Sequence, residues 1–249
     1  AEIERRLDIM IEQVIQNKKG SVLIIDELGD FMDGWNGETV RKGHDLPQNM
    51  DNEKAFDVGL AFKVKLVDAL AVHYKKIICN NICNDNHAGS FGYVVNSAFK
   101  SNIEKRYQHV KINNIRRIID NYLNGKHCFI LMHGKDGNNL KFGFKPVLDT
   151  KQIKKIDNYI KQHNLYSYII EFSKGDSHQK ILDDSTSDSF GYYNYGAFSP
   201  SSEWVQTNFK KGSSFFEFFN YKEDGQKLHT PYKFKWNNGR AEKTINYIK

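Results

Sequence analysis

Apolar residues recur at helical or strand spacing along most of the chain. Between Ile3 and Asn17 they follow a period of about 3.6 residues, which predicts an amphipathic helix. Lys18-Lys19-Gly20 supplies the cations and the glycine that typically end such a helix. The run SVLIIDELGD then predicts a buried strand that leads into a polar turn.

The remaining segments repeat this alternation of strand, polar loop and helix. Predicted helices cover Asn52–Tyr74, Val95–Tyr107 and Thr150–His163, and predicted strands cover KKIICN, two segments within Arg117–Met132 joined at Asn124-Gly125, and YSYIIEF. The rest of the chain is rich in aromatic residues, serine, glycine and asparagine, which favours strands. This order is typical of α/β proteins, and we expect the 249 residues to form a single domain.

Composition narrows the class of protein. No apolar run approaches the ~20 residues that a membrane-spanning helix needs, and the charged N-terminal helix is unlike a signal peptide. Cys79, Cys83 and Cys128 are too few and too irregular for a disulfide framework, and no second cysteine pair completes a zinc site. We therefore expect reduced thiols, a cytoplasmic location and no membrane partner.

The chain is basic, with a formal net charge of +6 and a pI of about 9.0. This charge favours a polyanionic partner such as DNA. The basic residues are spread along the chain in pairs, however, so a generally basic surface explains them equally well. Charge alone does not decide between these two interpretations.

Side chains of the kinds that bind metals follow the predicted strands. In an open α/β sheet, the carboxyl ends of the strands meet at one edge, where ligands bind. Taken singly each residue is weak evidence, because a lone histidine at a strand end is more often an ordinary surface residue. The residues are Asp30 and Asp33 after the first strand, Asn86 and His87 after the second, His133 after FILM, and Asp176 and His178 after YSYIIEF.

The residue types indicate which ions would bind. Carboxylate and amide oxygens together with imidazole nitrogens suit hard or borderline divalent cations. Two such ions ~3.5–4 Å apart can clamp a phosphate and activate a water molecule for attack on it. We expect two divalent ions, manganese in the first place, with magnesium, iron and zinc as alternatives.

Four short blocks resemble motifs of the calcineurin-like metallophosphoesterases. GDFMDG resembles the family's GDxxD block, NDNHAG its GNH block, MHGKD its single-histidine block and GDSH its GHxH block, in the family's order from Leu23 to His178. The longer runs GDFMDGWNGETVR, NHAGSFGY and SSEWVQTNF are similar to a phage and bacterial branch. The resemblance implies an α/β fold of four layers, an αββα sandwich with two sheets face to face and helices outside.

The resemblance also implies roles for the metal ligands. Asp30 would bridge two metal ions. Asn86, His133 and Asp176 would complete one of the two metal sites, and His178 would bind the other ion.

The resemblance also implies roles for His87 and Asp33 towards the substrate. His87 would lie over the phosphate as the general acid that protonates the leaving oxygen, or as an electrostatic stabiliser. Asp33 would hydrogen-bond the His87 ring and set its tautomer. Arg41 and Lys135, close to these blocks in sequence, are candidate substrate-binding residues, although Arg41 is equally well explained as a solvated loop arginine.

Two departures from the family pattern stand out. Asp176 occupies a position that is usually histidine, and a carboxylate there should favour manganese or magnesium over zinc. The family's opening DxH block is absent before Gly29. We expect that a preceding segment carries this strand, and that the chain by itself holds one metal poorly.

The expected reaction is hydrolysis of a phosphomonoester or phosphodiester. A nuclease acting on DNA is the first hypothesis within that class, and a small-molecule or protein phosphatase is the second. The alternative from another class is a non-catalytic binding or structural module on the same fold with a degraded metal site. Metal content would distinguish the enzyme from the module.

Overall fold

The computed structural model describes residues 2–39, 45, 50–134, 146–200 and 214–234. Helices and strands alternate through the first two thirds of the chain, and strands dominate the rest. The elements are α1 (Glu2–Gln16), β1 (Val22–Glu27), α2 (Asn52–Ala71), β2 (Lys76–Ile82), α3 (Ser90–Arg106), β3 (Val110–Ile115), β4 (Ile119–Asn124), β5 (His127–Met132), α4 (Thr150–Gln162), β6 (Ile169–Lys174), β7 (Ile181–Asp183), β8 (Gly191–Asn194), β9 (Phe215–Tyr221) and β10 (Lys227–Lys233).

The first sheet is parallel, with strand order β1-β2-β3. Helices α1, α2 and α3 cover one face of it. Each helix directs its apolar stripe at the sheet, because burying that stripe removes the most apolar surface from water. The shared core includes Leu7, Val67, Leu70, Ile77, Ile103 and Ile112.

The second sheet is mixed, with strand order β4-β5-β6-β8-β7. Its three central strands are parallel, and β4 and β7 pair antiparallel at the two edges. Helix α4 covers its outer face, where Ile156 and Ile160 pack in one cluster with Ile130 and Phe172. Strands β9 and β10 pair with each other as a separate two-stranded ribbon.

Strand β5 shows how the layers are arranged. Successive side chains of a strand point to opposite faces. Cys128, Ile130 and Met132 pack on the α4 side, whereas Phe129 and Leu131 join a cluster with Ile82 and Ile115 of the first sheet. The two sheets therefore lie face to face with helices outside both. This confirms the predicted four-layer α/β sandwich.

Most of the predicted elements are present, with two differences. Helix α3 begins at Ser90, five residues before the predicted start at Val95, so its first turn lies directly after the loop that carries His87. Strand β3 was not predicted, because half of the residues in its sequence VKINNI are polar and it lacks a continuous apolar run. No helix within the described ranges combines the length and the apolar composition that crossing a bilayer requires.

Candidate metal centre

The candidate residues come from loops at the carboxyl ends of four strands. Asp30 follows β1, Asn86 follows β2, His133 follows β5 directly and Asp176 follows β6. Strands β1 and β2 are parallel neighbours in one sheet, and β5 and β6 are parallel neighbours in the other. The site thus lies at one edge of the sandwich, where the two sheets meet.

The ring of His133 is the centre of the cluster. Its Nδ1 lies 2.7 Å from the carbonyl oxygen of Leu28, which can only accept a hydrogen bond, so Nδ1 carries a proton. Its Nε2 lies 2.9 Å from Asn86 Oδ1, 3.2 Å from Asp30 Oδ1 and 3.8 Å from Asp176 Oδ1. One nitrogen is held by the backbone and the other faces three oxygen atoms.

This spacing fits a divalent cation. Ligand atoms that sit about 2.0–2.2 Å from an ion are separated from their neighbours by about 3–3.5 Å. One ligand atom from each of Asp30, His133 and Asp176 lies within 4.8 Å of the other two. Asp30 Oδ1 is buried and receives no hydrogen bond of acceptable geometry from the described residues. A cation would satisfy that oxygen and offset the charge of the two carboxylates.

Electrostatic coupling within the cluster is strong. Burial by itself would lower the pKa of His133, but the carboxylates of Asp30, Asp176 and Asp85 raise it to about 9. Burial would raise the pKa of Asp30, but the neighbouring histidines, His133 foremost, lower it to about 2. The carboxylate is therefore ionised, as a metal ligand must be, and a bound cation would take the place of the His133 Nε2 proton.

His87 and Asp33 form a second pair beside the cluster. His87 Nδ1 lies 3.1 Å from Asp33 Oδ1, and His87 Nε2 lies 3.8 Å from Asp30 Oδ2. Burial would lower the pKa of His87, but the hydrogen bond with Asp33 and the charge of Asp30 raise it above its ordinary value. The hydrogen bond with Asp33 therefore holds the ring with its Nε2 towards Asp30. The same two carboxylates favour the protonated form of the ring.

Of the three remaining predicted site residues, the structure describes only His178. His178 lies close enough to Asp30 and Asp176 for their charges to act on it, although burial outweighs them and lowers its pKa. It does not belong to the cluster of Asp30, His133 and Asp176. Arg41 and Lys135 lie outside the described residues.

The backbone around the cluster adopts left-handed conformations that ordinary side chains avoid. Asp30 has a φ of 51°, Asp176 of 64° and His178 of 53°. Such residues cost free energy and persist where the surrounding structure holds them, as at functional sites. Gly29, with a φ of 95°, admits the His133 ring, because a Cβ atom there would lie 2.8 Å from His133 Nδ1.

Two residues at this edge were not predicted from the sequence. Asp85 is buried, and its carboxylate receives backbone hydrogen bonds from both candidate loops. Lys174 ends β6 and is fully buried, and this burial lowers its pKa to about 8 against the opposing charge of Asp176. The available signals were a charged residue directly before the predicted ligand Asn86, in the case of Asp85, and a lysine that ends a buried strand two residues before Asp176, in the case of Lys174.

Comparisons with known proteins give two structural likenesses. No family model matches the sequence, and no curated protein matches it. Vps29 of Entamoeba histolytica, solved in complex with zinc, is 13% identical with a TM-score of 0.37, covering 86% of this chain and 99% of that one. A conserved protein of Streptococcus pneumoniae, described as a predicted phosphoesterase, is 9% identical with a TM-score of 0.34, covering 86% and 97%. Similarity at this level does not establish a family.

Proposed function

We propose that this protein is a metal-dependent phosphoesterase that resembles the calcineurin-like metallophosphoesterases. The observation that carries the proposal is the convergence of Asp30, Asn86 and Asp176 on the Nε2 side of the buried His133 ring. These residues come from both sheets and from distant parts of the sequence. Carboxylate and amide oxygens that surround an imidazole nitrogen are a donor set that divalent metal ions use.

One group of site residues would bind metal ions, and His87 would transfer a proton. Asp30, Asn86, His133 and Asp176 would hold a divalent ion, and His178 would contribute to a second ion that shares Asp30. We propose manganese, because three of these donors are oxygens. When bound, the ions supply Lewis-acid stabilisation of the phosphate and activation of water.

His87 is the residue we assign to the leaving group. Its Nε2 is directed towards the cluster, and Asp33 holds its Nδ1 at 3.1 Å. The hydrogen bond with Asp33 and the charge of Asp30 raise the pKa of the ring against the effect of burial, which favours the protonated form that a general acid needs. Asp33 acts by fixing the orientation and the tautomer of that ring.

Nucleic acid is the substrate class that we propose. Trp35 is 44% exposed and packs edge-on against Phe91, with ring centres 4.7 Å apart, two residues after Asp33. In the first turn of α3, after the His87 loop, the ring of Tyr93 lies 4.9 Å from the exposed Arg116 guanidinium. Exposed aromatic rings stack with bases, and arginine pairs with phosphate. The net charge of +6 favours the same class of substrate.

Turnover of a nitrophenyl phosphate ester with manganese tests the phosphoesterase proposal. Asp30→Asn and His87→Ala should each lower kcat by about 10²–10⁴-fold. Asp8→Asn in helix α1 and His73→Ala after helix α2 are matched controls at positions away from the site, and they should leave kcat unchanged. Unchanged turnover in the two site variants would refute their assigned roles. A folded protein that binds no metal and shows no turnover would instead support a non-catalytic module.

Binding of a fluorescent single-stranded oligonucleotide tests the substrate class. Affinity should fall with salt, because phosphate contacts release counterions. Trp35→Ala and Tyr93→Ala should weaken binding by about tenfold while turnover of the nitrophenyl ester is kept. Tyr166→Ala is the control, since Tyr166 is 61% exposed but lies before β6, at the opposite edge of the sandwich. Equal losses in all three variants would exclude a specific surface.

A further inference from the structure

Asp85 connects the backbone of Asp30 to the loop that carries His87. Its Oδ2 accepts a hydrogen bond from Asp30 N at 3.1 Å. Its Oδ1 accepts from His87 N at 3.1 Å, from Ala88 N at 2.8 Å and from Gly89 N at 3.4 Å. One carboxylate therefore spans the loop after β1 and the loop after β2.

The Asp85 carboxylate uses both of its oxygens to accept hydrogen bonds from backbone N–H groups. Asp85 is only 7% exposed. It does not belong to the candidate metal cluster of Asp30, His133 and Asp176. Asp85 therefore acts on the site through other residues, and its geometry differs from that of a ligand.

The position matters because Asp30 has an unfavourable backbone conformation. With a φ of 51°, Asp30 needs its surroundings to hold it in the left-handed region. Asp85 also stands where the resembling GNH block has a glycine, and a glycine has no side chain to accept these hydrogen bonds. The carboxylate is thus a feature of this chain that the resemblance does not explain.

We propose that Asp85 is a positioning residue that sets the separation between the Asp30 carboxylate and the His87 ring. By holding the backbone amides of both residues, it places a metal-ligand oxygen beside the proton donor. The inference rests on the proposed function for its consequence in catalysis. The placement itself can be tested on the protein without metal.

The first test follows the Asp30 amide by ¹H–¹⁵N NMR on the metal-free protein. An amide proton bonded to a carboxylate resonates downfield, so Asp85→Asn and Asp85→Ala should move the Asp30 signal upfield. The signals of Ala88 and Gly89 should move with it. An unchanged Asp30 signal in both variants would overturn the inference.

The second test measures manganese affinity. Residues that orient a metal ligand typically change affinity by about 10–100-fold, so the dissociation constant should rise at least tenfold in Asp85→Asn and further in Asp85→Ala. Asp149→Ala is the matched control, because Asp149 also accepts a backbone hydrogen bond, from Gln152 N at 2.9 Å, at the start of α4. Its affinity for manganese should equal that of the unsubstituted protein.

The outcomes separate the inference from the proposed function. If the unsubstituted protein binds no manganese but the Asp30 amide moves, the metal proposal fails and the positioning role of Asp85 stands. If manganese binds equally well to the Asp85 and Asp149 variants, the positioning role fails and the metal proposal stands. Should Asp85→Ala fail to fold, the isosteric Asp85→Asn supplies both readouts.

Discussion

His133 donates its Nδ1 proton to the Leu28 carbonyl oxygen at 2.7 Å, and this hydrogen bond fixes the direction of the opposite nitrogen. Leu28 lies two residues before Asp30, in the same loop. The backbone that presents the Asp30 carboxylate therefore also orients the ring that faces it. Leu28 and His133 directly follow strands of different sheets, so the contact joins the two halves of the site.

Replacing His133 tests this arrangement. His133→Gln should raise the manganese dissociation constant about 100-fold or more, because the ring nitrogen at the centre of the donor set is lost. Isothermal titration calorimetry with manganese would measure the change. His109→Gln is the control: His109 Nε2 also contacts a backbone oxygen, Ala71 O at 3.0 Å, but His109 lies directly before β3, at the end of the first sheet opposite the site. Equal affinities in the two variants would contradict a metal site at His133.

Gly29 should not tolerate a side chain. Gly29→Ala places a Cβ atom 2.8 Å from His133 Nδ1 at a φ of 95°, so it should destabilise the protein by about 1–3 kcal/mol and weaken metal binding. Gly20→Ala is the matched control, because a Cβ there meets nothing within 4 Å. Urea denaturation of both variants measures the difference. A Gly29→Ala protein as stable as Gly20→Ala would show that the ring does not pack against this glycine.

The three cysteines should be unreactive in the folded protein. Burial raises the pKa of Cys79 and of Cys83 to about 12, and that of Cys128 to about 11. Few thiolates therefore exist at pH 8, and a disulfide reagent such as Ellman's should label the three residues only after unfolding. Rapid labelling of the folded protein at pH 8 would contradict this burial.

The same shifts predict a loss of stability at alkaline pH. Each thiol has a higher pKa in the folded than in the unfolded state, so its contribution is complete below pH 9 and is lost as pH rises towards the folded value. The free energy of unfolding should therefore fall between pH 8 and pH 10.5. Cys79→Ala should reduce the size of that fall, measured by urea denaturation at both pH values. An identical fall in the variant would exclude Cys79 as a contributor.

Lys63 should be more important for stability than its neighbour Lys65 on the same helix. The Lys63 ammonium is buried, pairs with Glu27, and donates to Asn81 Oδ1 at 3.0 Å and to Asn96 Oδ1 at 2.5 Å. Lys63→Met leaves these oxygens without that partner and should cost about 3 kcal/mol. Lys65 is half exposed in its pair with Asp8, so Lys65→Met should change stability by less than about 1 kcal/mol.

Thermal or urea denaturation of the two lysine variants checks the comparison. Similar stabilities would show that the polar group around Lys63 does not contribute more than a surface ion pair. Because Glu27 lies three residues before Asp30, the Lys63 variant should also be tested for manganese binding.

Local patterns in the sequence were sufficient for most of the secondary structure. The apolar stripes of α1, α2 and α4 and the continuous apolar runs of β1, β2 and β5 depend only on residue order, because helical and strand periodicities are properties of the local backbone. The hairpin of β4 and β5 followed from Asn124-Gly125 for the same reason. Strand β3 escaped prediction because half of its residues are polar, and its asparagines find their partners on β2, as Asn113 does with Asn80 at 2.8 Å, which is distant in sequence.

By itself the sequence determined which residues could bind a metal and that they follow strands, since both depend on residue type and local order. Only the tertiary structure decided that Asn86, Asp30 and Asp176 surround one nitrogen of His133, and that Asp85 joins the loop of Asp30 to the loop of Asn86 and His87. These relationships arise where two sheets are packed face to face, and the distances across that junction depend on the packing of the whole sandwich. No spacing along the chain encodes them.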